Sequence, residues 1–133
     1  DLRHKGVHME LNKMRSDLKM DNLYFRSCSV EREREVKNGE CKANLQRKII
    51  KICEHEYNVE LHLSVQKSDL SISIIAEAHF KYEAETYEKE ENIIKTNTVA
   101  IMFPFIRSQV TLLTTQPGMT PIVLPPINTA KYE

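Results

Sequence analysis

Residues 59–82 contain two consecutive runs in which apolar and polar side chains alternate. A period of two places successive side chains on opposite faces of a β-strand, so each run predicts a strand with one buried face and one wet face. The short connection over residues 67–69 makes the two strands antiparallel neighbours. The buried faces consist of Val59, Leu61, Leu63 and Val65 in the first run, and Ile72, Ile74, Ala76, Ala78, Phe80 and Tyr82 in the second.

Two further strands are predicted before residue 59. Residues 23–35 begin with strand-favouring aromatic side chains, and a β-rich run starts at residue 43. The Asn38-Gly39 pair between them is a strong tight-turn signal. Alternation along the earlier strand places Tyr24, Cys28 and Val30 on one face and Leu23 and Phe25 on the other.

Residues 1–20 are predicted to be an N-terminal segment, separate from a single domain at 21–133. Residues 1–8 show no periodic pattern, and the His-Met pair that follows Val7 resembles a cloning junction. Leu11, Met14 and Leu18 then recur at helical spacing, which predicts a short amphipathic helix over residues 9–20. An Asp-Asn pair at residues 21–22 is interpreted as the turn after it.

The period changes to that of a helix from Thr98 onward. The core-facing stripe consists of Val99, Met102, Phe103, Ile106, Val110 and Leu113, while Ile101, Phe105 and Leu112 lie off it. The apolar surface is therefore wider than one contact requires. Pro104 lacks an amide hydrogen, so we predict a kink there or a junction between a short and a long helix. Pro117-Gly118 ends the helix, and the proline-rich tail at 119–133 is predicted to be extended.

The predicted fold class is α+β: a four-stranded antiparallel sheet with C-terminal helices packed on one face. A chain of 133 residues with zero formal charge fits one domain, and it lacks the basic stripe of a nucleic-acid binder. No apolar run is long enough to span a membrane. Three scattered glycines exclude phosphate-cradling loops, and three cysteines without CxxC spacing indicate reduced thiols.

No arrangement of residues indicates catalysis. The cluster Cys53–Glu56, with His62 and His79 on neighbouring strands, matches no metal signature, and Cys53 with His55 forms only a weak candidate for thiol chemistry. The acidic stretch at 83–92 is interpreted as a solvated strand end and loop rather than a docking site. We therefore expect a protein that is not an enzyme and that needs no cofactor or metal.

Residues 97–128, NTVAIMFPFIRSQVTLLTTQPGMTPIVLPPIN, resemble the C-terminal signature of the SecB family of bacterial protein-export chaperones. The matching elements are Phe103, Pro104, Phe105, Arg107, Gly118, Leu124, Pro125 and Asn128. The resemblance implies a SecB-like fold in the bacterial cytoplasm. It also implies dimers that pair into a tetramer through helices, and apolar grooves that hold unfolded polypeptides or preproteins without ATP.

The resemblance also suggests which residues contact partners. The groove candidates are Tyr24, Phe25, Leu61, Leu63, Ile101, Phe103, Phe105, Val110, Leu112 and Leu113. Core packing is the favoured alternative for Met102, Phe103, Ile106 and Val110, whereas Phe105 and Leu112 are favoured as groove or interface residues.

The strand face with Ile75 and Glu77 resembles the face that contacts the SecA motor. The neutral charge and the missing acidic tail count against SecA as a partner. The alternative functions are a SecB-like chaperone dedicated to the unstable antitoxin of a toxin–antitoxin system and, less favoured, a metal or thiol enzyme.

Overall fold

Four antiparallel strands form one sheet, and one long helix crosses it. The computed structural model describes residues 17–33, 41–67 and 69–125. The elements are β1 (Leu18–Arg32), β2 (Lys42–Cys53), β3 (Glu56–Lys67), β4 (Leu70–Tyr82) and α1 (Glu90–Leu113). The strands lie in the order β1-β4-β3-β2, so β1 and β2 are the two edge strands. The α+β class predicted from the sequence is confirmed.

The core lies between α1 and one face of the sheet, here called the inner face. The helix packs on β1, β4 and β3. The predicted alternation along β3 and β4 is confirmed. Val59, Leu61 and Phe80 are fully buried, and the alternate residues of each strand lie on the opposite, outer face. Complete burial of one such side chain contributes about 1.5–3 kcal/mol. Five of the six predicted stripe residues are buried, while Leu113 is partly buried, and Ile94 and Thr98 add to the buried set. The five are Val99, Met102, Phe103, Ile106 and Val110.

Strand β1 differs from the prediction because it contains two bulges. The pairing with β4 shifts between Asp21 and Tyr24 and again between Phe25 and Ser27, and Asn22 has a positive φ of 58°. Each bulge inserts an unpaired residue, which reverses the alternation of faces beyond it. The Asp-Asn pair is therefore a bulge inside the strand and not a turn. The prediction that Tyr24 shares a face with Val30 is wrong.

The N-terminal prediction is also wrong where the structure can be compared with it. Residues 18–20, assigned to an amphipathic helix, are the first residues of β1. Residues 9–16 of that predicted helix and the Asn38-Gly39 turn lie outside the described residues, and Asp17 forms a turn before β1. The division of the chain at residue 21 stays a prediction.

The helix is longer than predicted and is not divided at Pro104. It begins at Glu90, inside the stretch interpreted as a solvated loop, and Glu90 and Glu91 occupy its first turn, where carboxylates interact favourably with the helix dipole. Pro104 lies within the helix on its exposed side. Because proline has no amide hydrogen, the carbonyl of Ala100, one turn earlier and also exposed, loses its usual N–H partner. Because that side meets solvent, water can replace the lost hydrogen bond, and the helix continues.

The beginning of α1 is fastened to the turn between β2 and β3. His55, at the tip of that turn, has a positive φ of 63°, and its Nδ1 lies 2.7 Å from Glu90 Oε1. Its ring stacks on Tyr87 with a centroid distance of 3.8 Å. Burial, followed by the charge of Glu90, raises the pKa of the nearby Tyr57. The hairpin, the loop after β4 and the helix thus meet at one contact.

The chain after α1 returns along the helix. The Thr114 hydroxyl accepts a hydrogen bond from the Ile122 amide at 2.8 Å, and the Thr111 hydroxyl donates to the Ile122 carbonyl at 2.9 Å. Ile122 and Leu124 are buried in the core. The predicted packing of the tail is confirmed for Ile122 and Leu124, and residues 119–125 form neither helix nor strand.

We expect Gly118→Ala to lower the free energy of unfolding by about 1–2 kcal/mol. Gly118 has a φ of 79°, a conformation that side chains rarely adopt, and an added Cβ would lie 3.2 Å from Arg32 Nη1. Urea unfolding followed by circular dichroism measures the change. Gln116→Ala, an exposed position in the same turn, is the control; equal stability of the two variants would contradict the expectation.

Candidate binding surfaces

One side of α1 carries an apolar strip that the subunit leaves exposed. Ile101 is partly buried, Phe105 is 47% exposed and Leu112 is 63% exposed. Gln109 lies on the same side of the helix, and its amide contacts Cys28 Sγ of β1 at 3.8 Å. These three apolar residues, here called the α1 flank, therefore lie on the side of the helix nearest to β1.

The opposite side of the helix is covered by the tail. Arg107 Nε donates to the Leu124 carbonyl at 2.9 Å, and Thr111, one turn later, binds the Ile122 carbonyl. The tail thereby satisfies its own backbone groups and buries apolar side chains against the helix. The uncovered apolar side of α1 is therefore the flank that faces β1.

Four of the ten predicted groove residues lie in the core instead. Leu61, Leu63, Phe103 and Val110 are buried, with exposed fractions of 6% or less. Leu61 and Leu63 point inward from β3, a central strand under α1, while Phe103 and Val110 face the sheet. The alternative of core packing, favoured for Phe103 and Val110, is the one observed, and a client cannot reach these side chains in the folded subunit.

Tyr24 and Phe25, also predicted for the groove, lie on opposite faces of the sheet. Phe25 pairs with Ala76 on the inner face and packs partly against the core. Tyr24 lies on the outer face, where its hydroxyl donates to Glu77, and that hydrogen bond raises the pKa of Tyr24. Of the predicted set, Phe25, Leu113 and the α1 flank thus remain on the helix side and in part accessible.

Strand β2 carries a second apolar surface, which the sequence reasoning did not single out. On its inner side, Leu45 and Ile49 are only partly buried, and Arg47 between them donates to the carbonyl of Lys95 in α1. Ile50 and Ile52 are 46% and 51% exposed. Apolar residues thus lie on both faces of an edge strand. The apolar residues of β2 are visible in the sequence run LQRKIIKI. Its two consecutive isoleucines interrupt the alternation of apolar and polar residues, so the run did not indicate a surface.

The comparisons with known proteins agree with this architecture. The family model described as preprotein translocase subunit SecB matches residues 12–132. This chain belongs to the SecB family. A solved SecB-like chaperone of Mycobacterium tuberculosis, in complex with an antitoxin peptide, superposes with a TM-score of 0.69. It is 12% identical, the match covers 96% of this chain and 100% of that one, and at this identity it shows the shared fold.

A curated relative gives less information about function. An uncharacterised protein of Methanocaldococcus jannaschii is 33% identical over 64 residues, or 48% of this chain. The matched region spans 41% of the length of that relative. Among the described residues of this SecB-family chain, no helix is long and apolar enough to cross a membrane.

The outer sheet face of this SecB-family chain carries a compact ion-pair network. Arg26 donates from Nη1 to Glu77 at 2.8 Å and from Nη2 to Glu60 at 2.9 Å. One guanidinium thus pairs with two carboxylates, which leaves one net negative charge, and Tyr24 donates a further hydrogen bond to Glu77. Glu77 and Ile75 do share the outer face, as predicted, and Glu77 is paired with Arg26 and Tyr24 there. Contact with SecA there stays a prediction.

Of the residues considered for metal or thiol chemistry, Glu56 lies beside both Cys53 and His79, with its Oε1 3.6 Å from His79 Nε2, whereas His55 is directed elsewhere. His55 turns toward Glu90 and Tyr87, whereas Cys53 donates its thiol proton to Glu56. Within residues 17–33, 41–67 and 69–125, no three His, Cys, Asp or Glu side chains are placed to hold a metal ion. His55 and Cys53 therefore engage different partners.

We expect Cys53 to be alkylated faster in a Glu56→Gln variant than in the unaltered protein. The hydrogen bond to the Glu56 carboxylate, aided by its charge, raises the pKa of Cys53, so less thiolate is present at pH 8. Removing the carboxylate lowers that pKa and increases the thiolate fraction. Mass spectrometry after timed iodoacetamide treatment gives the rate at each cysteine, with Cys28 as the internal control. An unchanged rate at Cys53 would show that the contact does not govern its reactivity.

Proposed function

We propose that this SecB-family protein is an ATP-independent holdase, which binds unfolded polypeptides, preproteins awaiting export among them, in extended form. The observation that carries the proposal is the edge strand β2, which has partly buried Leu45 and Ile49 on its inner side and exposed Ile50 on its outer side. A soluble subunit normally protects such an edge, because it is a template for pairing with another chain. An exposed apolar edge therefore supports a binding role.

The regularity of β2 supports main-chain pairing with a client. Residues 42–51 pair with β3 without a shift, so no bulge interrupts the row of backbone groups along their other edge. Strand β1 is less suitable over its first half because two bulges interrupt it there. A client strand added to β2 would place alternate side chains beside Leu45 and Ile49 and beside Ile50. Main-chain hydrogen bonds give affinity with little demand on client sequence.

We assign the α1 flank to a second copy of the chain. Phe105 and Leu112 project from a rigid helix, and large apolar side chains at helical spacing pack well against another helix. A two-fold axis near the flank would bring the same residues of both subunits together. Such dimers, paired again, would give the tetramer that the family resemblance implies. The oligomer and the client then use different surfaces.

The experiment that tests the holdase proposal measures light scattering from a chemically denatured client after dilution. We expect the protein to suppress aggregation at a stoichiometric ratio to client, with no change on addition of ATP. An equal concentration of an unrelated globular protein is the control for crowding. Failure to suppress aggregation of several unrelated clients would contradict the proposal.

A second candidate is a chaperone dedicated to one antitoxin. It is favoured by the structural similarity to a SecB-like chaperone solved with an antitoxin peptide. The two candidates differ in client range. Suppression limited to one antitoxin among many clients, with that antitoxin encoded beside this chain, would support the dedicated role, whereas suppression of unrelated clients supports the general holdase.

A further inference from the structure

A cleft of about 400 Å³ lies at one end of the sheet, and neither β2 nor the α1 flank contributes to its lining. The ends of β1 and β3 contribute Arg32 and Lys67, and β4 begins there with Leu70. The turn after α1 closes the opposite wall with Met119 and Ile122. This volume is within the range of sites that hold small molecules or one end of a peptide.

The charges in the cleft do not balance. Arg32 Nε donates to Asp69 Oδ2 at 2.7 Å, and this hydrogen bond lowers the pKa of Asp69, so its carboxylate remains ionised at neutral pH. Lys67 is partly buried, and it takes part in none of the ion pairs found within residues 17–33, 41–67 and 69–125. The charged side chains that line the cleft are two cations and one carboxylate, so the lining carries a net positive charge that favours a bound anion.

Arg32 is held in a position that leaves donors for a ligand. Its guanidinium lies between Asp69 and the backbone of Gly118, where a Cβ would approach Nη1 to 3.2 Å. Within residues 17–33, 41–67 and 69–125, one hydrogen bond from Nε is found for its five N–H donors. A carboxylate is the anion whose geometry matches the remaining guanidinium donors.

The wall of the cleft is apolar. Leu70 and Ile122 are buried core residues, and Met119 packs partly against them. A ligand that fits both parts has a carboxylate beside a short apolar side chain. The last residue of a polypeptide has this chemistry, as do small N-acylated amino acids.

We propose that this cleft binds a free carboxylate attached to an apolar residue, with the C-terminus of a polypeptide as the expected source. Lys67 and Arg32 receive the carboxylate, and Met119 contacts the apolar side chain. The proposal does not rest on the holdase function, because the cleft and the edge of β2 are different surfaces.

The test uses a fluorescein-labelled hexapeptide ending in leucine, prepared as a free acid and as an amide, with anisotropy measured at low salt. We expect the acid to bind about tenfold more tightly than the amide, because the amide cannot form charge-assisted hydrogen bonds. Lys67→Met should weaken binding of the acid about tenfold and leave binding of the amide unchanged. Lys48→Met, an exposed lysine on the outer face, is the matched control.

Equal affinity for acid and amide would overturn the proposal, and so would a preference for the acid that survives Lys67→Met. Competition by N-acetyl-leucine at peptide-like concentrations supports the site with small carboxylates as its source, whereas failure to compete supports polypeptide ends. The melting temperature of Lys67→Met shows whether the variant is folded; we expect it to be unchanged or higher, because the net positive charge of the lining is removed. Aggregation suppression, measured in parallel, reports on the holdase independently.

Discussion

Replacing both Ile50 and Ile52 by lysine is expected to raise about tenfold the amount of protein needed to suppress aggregation of a denatured client. Both side chains are roughly half exposed on edge strand β2, so the subunit loses little by the change. A client strand on that edge would lose apolar contact and would have to desolvate an ammonium group, and a loss of about 1.4 kcal/mol corresponds to a factor of ten. Light scattering at a series of protein-to-client ratios measures the shift.

Val123→Lys is the matched control for this prediction. Val123 is an exposed apolar residue of similar size that belongs to the tail and not to β2. Circular dichroism establishes that both variants have unaltered melting temperatures. If the β2 variant suppresses aggregation as well as the unaltered protein does, clients do not use this edge.

The double variant Phe105→Ser with Leu112→Ser is expected to dissociate the oligomer. A two-fold interface contains four of these side chains, each about half exposed in the subunit, so their truncation removes roughly 0.75–1.5 kcal/mol each and raises the dissociation constant about 10²–10⁴-fold. Because both residues are already half exposed or more in the subunit, its own stability should change little. Sedimentation equilibrium at micromolar concentration should then give the subunit mass of 15.5 kDa.

Arg26→Ala serves as the comparison for the oligomer, since it alters the exposed outer face and not the helix. It should retain the mass of the unaltered protein. A flank variant that keeps the full oligomeric mass would show that the subunits meet elsewhere. An unaltered protein that is already a monomer at micromolar concentration would contradict the proposed assembly itself.

The central strands and the helix could be predicted from the sequence because burial dictates their pattern. Residues of β3 and β4 alternate between a covered inner face and a wet outer face, so period two is visible along both. The stripe from Val99 to Val110 is likewise required by contact with the sheet. A strong pattern appears wherever one face of an element is covered.

The edges of the fold were harder to predict. In β1 the bulges around Asn22 and Phe25 break the alternation, and a bulge leaves no mark in composition that separates it from a turn. The first turns of α1 were missed because Glu90 and Glu91 are polar, yet they favour a helix N-terminus. Pro104 suggested a break in the helix. On the exposed side of the helix, however, the destabilisation by proline is small enough for the packing of the turns before and after it to keep the helix continuous.

The candidate site was predicted only in part for the same reason. A core and a binding surface are built from the same apolar residue types. The stripe of α1 therefore does not show which of its side chains the sheet covers. Phe105 and Leu112 lie outside the core-facing stripe of α1, and this position predicts that their side chains are exposed. Leu61 and Leu63 could not be separated from a groove until the sheet order placed β3 beneath the helix.

The attachment of α1 at both ends has a consequence for the entropy of association. His55 and Tyr87 hold its first turn, and Thr111 and Thr114 hold its last turns to the tail, while the α1 flank lies between these attachments. The flank is therefore already ordered before a partner arrives. Association then fixes few additional backbone angles, and most of the interaction free energy of the apolar contact remains available as affinity.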